Sequence, residues 1–176
     1  MTGAGTVRSD DPLLTARPAG ARTTLRVVVD TDGKSLHAAS NLVKSLSAGP
    51  ILICVADDIE TAGFRRLELL GVEPFRCPVS EPGRIDLGGV MAELGRRGCT
   101  NVLTEAGPGI LGSLFDSSLI DEVHIFIAPR LVGGTLARAA IGGQGLESIP
   151  AIPNVKRIRH TSIGDDLLIE GDVCRS

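Results

Sequence analysis

The stretch Leu25–Asp30 reads LRVVVD, and the stretch Ile51–Ala56 reads ILICVA. Both runs are short, rich in β-branched side chains and bounded by turn-forming residues, which is typical of β-strands. Each run is almost continuously apolar instead of alternating, so we expect both faces of these strands to be covered. Strands of this kind belong to parallel sheets flanked by helices, and the two stretches therefore predict an α/β fold.

Further strands and helices alternate along the chain around these two runs. Strands are predicted at Asn101–Glu105 and Glu122–Ala128, and Gly164-Asp165 is expected to join Val155–Ile163 to Asp166–Val173 as a hairpin. Four segments are candidate helices: Ser40–Ser47, Asp57–Leu70, the stripe from Leu87 that ends before Gly98, and Ile110–Leu119. This order predicts a mostly parallel central sheet flanked by helices, with a C-terminal antiparallel hairpin. No linker divides the chain, so residues 1–176 are expected to form a single domain.

Composition argues against several classes of function. The 176 residues carry a net charge of −3, four Phe and no Tyr or Trp. We expect no nucleic-acid partner, because the chain lacks both a basic surface for duplex DNA and a set of rings for stacking single strands. We also expect no membrane partner, because the longest apolar run, Ile51–Ala56, is too short to span a bilayer.

The cysteines indicate a compartment and argue against a metal site. Cys54, Cys77, Cys99 and Cys174 are scattered, with no Cys-x-x-Cys pair, so no metal is expected. Unpaired structural cysteines fit a reducing environment, and the N-terminus lacks the pattern of a signal peptide. We therefore expect a cytoplasmic protein.

A glycine-rich turn follows the predicted strand Asn101–Glu105. Residues 107–112 read GPGILG and match the pattern G-x-G-x-x-G. In such turns the glycines let the backbone approach a pyrophosphate, and the N-terminus of the next helix attracts the anion. However, Asp121 and Glu122 follow sooner than the ribose-binding acid of a Rossmann unit. The spacing alone is equally consistent with phosphate binding and with a tight turn that binds nothing.

The stretch Gly3–Arg17, which reads GAGTVRSDDPLLTAR, concentrates polar groups near the N-terminus. Asp-Asp-Pro is typical of a turn in which an Asp bonds to nearby backbone, and composition favours that interpretation. The alternative is a ligand site, because Thr6, Asp10 and Arg17 would fall in one compact loop. There Arg17 would bind a phosphate through two parallel hydrogen bonds, and Asp10 would donate a proton or accept a hydrogen bond.

Together these two stretches resemble one family, the reductase domain of riboflavin biosynthesis (5-amino-6-(5-phosphoribosylamino)uracil reductase), which has a dihydrofolate-reductase-like fold. Gly3–Arg17 matches the family pattern G-x-G-T-V-x-x-D-D-P-x-L-T-x-R. Thr104–Leu111 resembles the family's E-G-G-x-x-L turn, and Arg26–Thr31 resembles its next strand. Residues 119–123 and 128–134 resemble later family segments, so the similarity runs in order over nearly the whole chain.

The resemblance implies a reaction and the residues that serve it. In this family NADPH transfers a hydride to C1′ of the ribosyl group of a phosphorylated pyrimidine, and the product carries a ribitylamino chain. Asp10 is implied as the proton donor, with Glu105 as a second catalytic residue. Cofactor contacts are implied at Thr6, Asp10, Thr31, Gly107, Pro108, Gly109, Ile110, Leu111, Gly112 and Ser113. Substrate contacts are implied at Asp10, Leu13, Arg17 and Glu105.

The sequence departs from the family in two places. Ala106 replaces the first glycine of the family's Gly-Gly pair, which predicts a strained or altered turn. The family's N-terminal strand and helix are missing before Gly3. We therefore expect a truncated or misassigned start, a strand supplied by another chain, or a degenerate reductase.

The resemblance also bears on partners and leaves alternatives open. We expect a homodimer, since proteins of this fold commonly pair through edge strands. The zinc-ligand motifs H-x-E and P-C-x-x-C of the deaminase that is often fused to this reductase do not occur in the sequence. The alternatives are a non-catalytic nucleotide-binding homologue and a related reductase that acts on another pterin or pyrimidine.

Overall fold

The structure is a computed structural model of the chain, and it describes residues 1–16, 23–81, 83–134, 137, 139–145 and 153–174. The chain divides into two compact units, Met1–Ile110 and Leu111–Ser176. Each unit contains a sheet of its own.

Four parallel strands form the main sheet of the first unit, in the order β1-β2-β3-β4. They are Thr2–Gly3 (β1), Arg26–Val29 (β2), Ile51–Ala56 (β3) and Glu73–Cys77 (β4). All six residues of β3 and all four of β2 are buried, as expected for strands covered on both faces. The parallel pairing predicted from the two apolar runs is confirmed, and Val28 lies opposite Ile53.

Helices connect and cover these strands. They are Ala4–Asp10 (α1), Asn41–Lys44 (α2), Thr61–Leu69 (α3) and Leu87–Arg96 (α4), with a 3₁₀ turn at Leu46–Ala48 and a short antiparallel pair formed by Val79–Glu81 (β5) and Arg84–Ile85 (β6). A fifth helix, Pro108–Asp116 (α5), begins in the first unit and ends in the second. Helix α4 begins where the Asp86 carboxylate accepts a hydrogen bond from Gly88 N at 2.9 Å, and Gly98 follows its end with φ +80°.

The core of the first unit lies between β2, β3 and the helices that precede and follow β3. Its members include Val28, Ile53, Val55, Leu42 of α2 and Leu67 of α3, each less than 1% exposed. Apolar side chains from helix stripes thus pack on the buried strands, which is the arrangement that the alternating pattern predicts.

The second unit carries an antiparallel sheet of three strands in the order β7-β9-β8. They are Glu122–Ile127 (β7), Val155–Ile163 (β8) and Asp166–Val173 (β9). Ile163 pairs with Asp166, and Gly164 between them has φ +61°, which suits glycine in a tight hairpin. The predicted hairpin is therefore confirmed with its predicted bounds.

Two local predictions are wrong. Asn101–Glu105 is not a strand: among the residues that the structure describes, Met1 and Thr2 alone hydrogen-bond to this segment, so no continuous ladder forms. The predicted compact loop with Thr6 and Asp10 is instead helix α1, because Val7 turns inward and is 3% exposed. The predicted helix Ser40–Ser47 divides into α2 and the 3₁₀ turn, and the segment predicted as Asp57–Leu70 becomes helical only at Thr61.

Candidate functional site

The carboxyl ends of the parallel strands define one edge of the first unit's sheet. In open α/β sheets, ligands bind outside this edge. Glu105 lies beside β1, since its backbone N–H donates to Met1 O at 2.9 Å and Thr2 Oγ1 donates to Glu105 O at 2.6 Å. These bonds fix the backbone of Glu105 and leave its side chain exposed.

Helix α1 places two of the predicted site residues on one face. Thr6 and Asp10 are four residues apart, so their side chains lie one above the other on a helix. Val7, on the adjacent face of the helix, is buried and anchors it. Asp10 is exposed, and among the described residues its carboxylate has no hydrogen-bond or ion-pair partner. A hydroxyl and a carboxylate are therefore available together to a ligand.

The segment that follows α1 has an unusual backbone. Asp11 has φ +40° and Leu14 has φ +53°, and both are non-glycine residues in the left-handed region. Asn41 N donates to Asp11 Oδ1 at 2.8 Å, and Asn41 Nδ2 donates to Asp11 O at 2.9 Å. Arg26 Nη1 donates to Leu13 O at 3.2 Å. The predicted substrate position Leu13 thus lies in a segment held from two sides, and its side chain is 37% exposed.

The loop after β2 holds Thr31. Ala56 N donates to Thr31 O at 3.0 Å, and Thr31 Oγ1 donates to Gly83 O at 3.2 Å. Farther along the loop, the Arg66 guanidinium donates to Gly33 O and to Leu36 O. These bonds give the predicted cofactor position Thr31 a fixed backbone, with its hydroxyl oxygen still able to accept a hydrogen bond.

Two carboxyl groups with opposite pKa shifts, Asp30 and Asp32, flank Thr31. Asp30 is 1% exposed, and burial raises its pKa from the ordinary value, although Ser35 N donates to its Oδ2 at 2.6 Å. Asp32 is exposed, and a hydrogen bond from the Asp30 carboxyl lowers its pKa. When the pair holds a single proton, these opposite shifts favour that proton on Asp30 and the negative charge on Asp32.

The N-terminus of α5 suits a phosphate group. Pro108 takes the first helical position, which its fixed φ favours, and the helix dipole attracts anions there. A Cβ built on Gly107 or Gly109 would meet no atom within 4 Å, so the backbone is open to close approach. These features are compatible with the pyrophosphate of a nicotinamide dinucleotide.

The remaining predicted positions on α5, Leu111, Gly112 and Ser113, belong to the second unit. A Cβ on Gly112 would lie 2.2 Å from the carbonyl carbon of Gly142. This glycine is therefore needed for close packing of α5 on the segment around Gly142, whatever its part in ligand binding.

A cavity of about 270 Å³ lies in the first unit beside the segment that follows α1. Its lining includes Glu105, Leu14, Thr15, Arg26 and Leu103, and most of its surface is apolar. The size is close to the lower end for small-molecule pockets, about 300 Å³. Glu105 thus lines the same cavity as Leu14 and Thr15, which follow Leu13, and as Thr24 and Leu25, which precede β2. Arg17 lies outside the described residues.

Sequence reasoning missed the side chains that hold these segments. Asp11, Arg26, Asn41 and Arg66 make no recognisable local motif, because their partners lie 13 to 33 residues away along the chain. One signal was present: an Asp before Pro is biased away from the right-handed helical backbone, which marks the end of helix α1. The described residues contain no cluster of three metal-ligating side chains, and none of their helices has the length and apolarity of a membrane span.

Comparison with known proteins identifies the family. The sequence model of the RibD C-terminal domain matches residues 1–169. The riboflavin biosynthesis protein RibD of Bacillus amyloliquefaciens is 34% identical over 168 residues, which are 95% of this chain and 44% of that protein. The 2,5-diamino-6-ribosylamino-4(3H)-pyrimidinone 5′-phosphate reductase of Aquifex aeolicus is 26% identical over 98% of this chain and 75% of its own length.

The fold agrees with these sequence relatives. The structure of RibD from Acinetobacter baumannii, form 2, superimposes with a TM-score of 0.77 at 20% identity, over 98% of this chain and 46% of that one. The chain thus spans less than half the length of the RibD proteins it matches. The family match covers both compact units and includes every predicted site residue, so the chain belongs to the RibD C-terminal domain family.

Proposed function

We propose that the chain reduces the ribosyl group of 5-amino-6-(5-phosphoribosylamino)uracil to the ribitylamino product of riboflavin biosynthesis. The observation that carries this proposal is the cavity that Glu105 shares with the segment after α1, in a chain of the RibD C-terminal domain family. A relative that matches 98% of this chain is named as a reductase of a closely similar ribosylaminopyrimidine phosphate. Because the family match runs through both units, we treat residues 1–176 as one domain.

The reaction adds two electrons and two hydrogens to the substrate. In its open imine form, C1′ is electrophilic, so a hydride adds to C1′ and a proton adds to the nitrogen. NADPH, when bound, supplies the hydride. The proton comes from the exposed carboxyl of Asp10, which exchanges freely with solvent and is renewed after each turnover.

The other site residues bind and orient the two reactants. Glu105 accepts hydrogen bonds from the substrate at the sheet edge, and Arg17 carries the phosphate. Thr6 and Thr31 accept hydrogen bonds from the cofactor, and the open backbone of Gly107 and Gly109 receives its pyrophosphate. Preference for NADPH over NADH belongs to this proposal and is tested by supplying each in turn.

The proposal is tested with the full-length gene product. NADPH and the phosphoribosylaminouracil are supplied, and oxidation of NADPH is followed by absorbance. Asp10→Asn is expected to lower kcat by about 100-fold or more, because it removes the proton donor. Glu68→Gln, which changes an exposed acid on α3 far along the chain from the site, serves as the matched control.

Two outcomes would contradict the proposal. Wild-type protein that binds NADPH in a calorimeter but oxidises none would identify a non-catalytic nucleotide-binding homologue. Turnover with another pterin or pyrimidine, and none with the phosphoribosylaminouracil, would identify a related reductase.

We also propose that the protein is a cytoplasmic homodimer. Ile125, Phe126 and Ile127 of β7 are 46–64% exposed, and a second copy would cover such apolar side chains. The four cysteines are all free, which suits a reducing compartment. Light scattering that detects only monomer would contradict the dimer.

A further inference from the structure

We propose that Asp11, Asn41 and Arg26 are positioning residues, which hold the segment 11–14 in the single backbone conformation that presents the substrate-contacting side chains. This set of three residues is called the Asp11 clamp. The inference deepens the proposed function and rests on it, because it explains how one wall of that same site is kept in place.

The segment needs external support because its own conformation is unfavourable. Asp11 and Leu14 both have positive φ, which brings Cβ too close to the backbone for residues other than glycine. Pro12 between them fixes its own φ and keeps Asp11 out of the right-handed helical region. Conformations of this kind persist only where surrounding contacts determine them, and they are common at ligand sites.

Asn41 supports one end of the segment through two hydrogen bonds. It is the first residue of α2, so its backbone N–H has no partner within that helix. This N–H donates to Asp11 Oδ1 at 2.8 Å, and the side-chain amide of Asn41 donates to Asp11 O at 2.9 Å. Ser40, the residue at the N-cap position, makes no side-chain cap, so Asp11 caps α2 from a distant part of the chain.

Arg26 supports the other end from inside the protein. Its side chain is 2% exposed, and no carboxylate contacts it within the described part of the chain. It donates to Leu13 O at 3.2 Å, to Ser45 Oγ at 2.7 Å, to Ser45 O at 2.9 Å and to Gly49 O. A buried guanidinium that bonds to backbone carbonyls of three segments fixes their positions relative to one another.

The two adjacent aspartates therefore have different tasks. Asp10 is exposed on α1 with its carboxylate available, and Asp11 turns back to α2. Without the clamp, Asp11 and Leu14 would relax toward extended backbone and would move Leu13 between them. Thr31 is fixed by separate bonds to Ala56 and Gly83, so the cofactor loop is expected to keep its position.

Steady-state kinetics of the full-length gene product test the clamp. Asp11→Ala is expected to lower kcat/KM for the phosphoribosylaminouracil by about tenfold, through loss of hydrogen bonds and added backbone strain. The KM for NADPH is expected to stay within about twofold, a split that general destabilisation would not produce. Asp11→Asn is expected to restore most of the activity, because Asn tolerates positive φ and keeps an acceptor oxygen.

A double variant and a control complete the test. Asn41→Ala combined with Asp11→Ala is expected to lower kcat/KM further than Asp11→Ala alone, because Asp11→Ala removes the bond from Asn41 N and Asn41→Ala removes the separate bond to Asp11 O. Lys44→Ala, an exposed change on α2 outside the clamp, is expected to behave as wild type. Thermal unfolding of each variant verifies that it is folded at the assay temperature. Arg26→Lys is omitted from the decision, since loss of a buried guanidinium can prevent folding.

The outcomes separate this inference from the proposed function. No turnover by the wild-type protein overturns the proposed function and the clamp with it. An active wild type with Asp11→Ala equally active overturns the clamp alone. Equal rises in KM for both reactants, or failure of Asp11→Asn to restore activity, would also overturn it, because both results indicate a general structural role.

Discussion

The two sheets of this protein differ in how far their strands are buried. In the first unit, all six residues of β3 are buried. In the second unit, all nine residues of β8 are exposed. The parallel strands have apolar side chains on both faces and are covered on both, whereas β7, β8 and β9 alternate or mix polar and apolar residues.

The difference in burial indicates which unit contributes more to the stability of the fold. Fully buried strands contribute most of the apolar area that favours folding, so the first unit holds a core of its own. The second unit leaves Phe126 64% exposed and Ile158 58% exposed, so these apolar side chains contribute little to a core. The first unit, which holds the buried strands, also holds the site residues whose backbones are fixed by hydrogen bonds: Glu105, Leu13 and Thr31.

The largest expected effect compares two isoleucines. Ile53→Ala in β3 removes three carbons from a side chain that is fully buried and is expected to cost about 2–5 kcal/mol of unfolding free energy. Ile158→Ala in β8 is expected to cost less than about 1 kcal/mol, because its side chain is largely exposed. Urea unfolding followed by circular dichroism measures both. An equal cost at Ile158 would break the comparison and show that β8 is covered in solution.

Two glycines with the same backbone conformation sharpen the comparison between the two units. Gly33 has φ +65° and Gly164 has φ +61°, so alanine at either position costs about 1–2 kcal/mol in backbone strain. A Cβ on Gly33 would also lie 2.8 Å from Ile59 Cδ1, whereas a Cβ on Gly164 would meet nothing within 4 Å. Gly33→Ala is therefore expected to cost about 1–3 kcal/mol more than Gly164→Ala.

The same pair of variants has a second readout. Gly33 lies in the loop that Arg66 holds and that presents Thr31. Gly33→Ala is therefore expected to weaken binding of NADPH in calorimetry, while Gly164→Ala leaves it unchanged. Equal unfolding free energies for the two variants would show that the surroundings of Gly33 yield easily, contrary to a rigid core.

The contrast between the units also explains what sequence patterns predicted well. The bounds of β3, β8 and β9 were predicted correctly, because a continuous apolar run and a Gly-Asp turn are local signals. Helix α1 was missed, because Gly5, the Gly3 that precedes the helix and the Asp-Asp-Pro at its end favour a turn by local chemistry. Burial of Val7 supplies the stability that the local sequence lacks, and that contact is not visible in composition.

The candidate site likewise contains residues that the sequence predicted and contacts that it did not. Asp10, Glu105 and the glycines near Pro108 were found through motifs that are contiguous in sequence. The contacts of Arg26 and Asn41 were not found, since a hydrogen bond across 13 or 30 residues depends on the sheet order and the loop paths. Such contacts become predictable only after the topology is known.

Burial in the first unit also predicts a pH dependence. Asp30 has a raised pKa in the folded protein, against 3.8 as its ordinary value. Its contribution to stability is therefore complete below pH 3.8 and is lost as the pH rises through the raised value. Asp30→Asn, which keeps an acceptor for Ser35 N, is expected to remove this loss and to gain stability relative to wild type with rising pH.

Asp32 is expected to change the stability of the protein with pH in the opposite direction to Asp30. Its pKa is lowered in the folded protein, so its contribution is present above pH 3.8 and is lost as the pH falls. Asp32→Asn is expected to flatten the acid side of the stability profile. Urea midpoints over a pH series measure both slopes, and an Asp30→Asn profile parallel to that of wild type would contradict burial of a shared proton.

The smallest effect expected is kinetic and compares cysteines of the two units. Cys54 of β3 and Cys77 of β4 are fully buried, and interaction with the Cys77 thiol, together with burial, raises the pKa of the Cys54 thiol. Cys174, after β9, is half-buried. Because thiolates react and buried thiols must first be exposed by unfolding, Cys54 and Cys77 are expected to react with an aromatic disulfide reagent on the order of 100-fold more slowly. Cys174→Ser identifies the fast phase, since it removes one fast equivalent and leaves the slow phase unchanged. If Cys54 and Cys77 reacted as fast as Cys174, the β3–β4 pair would open readily in the native protein, and the first unit would not hold the more stable core.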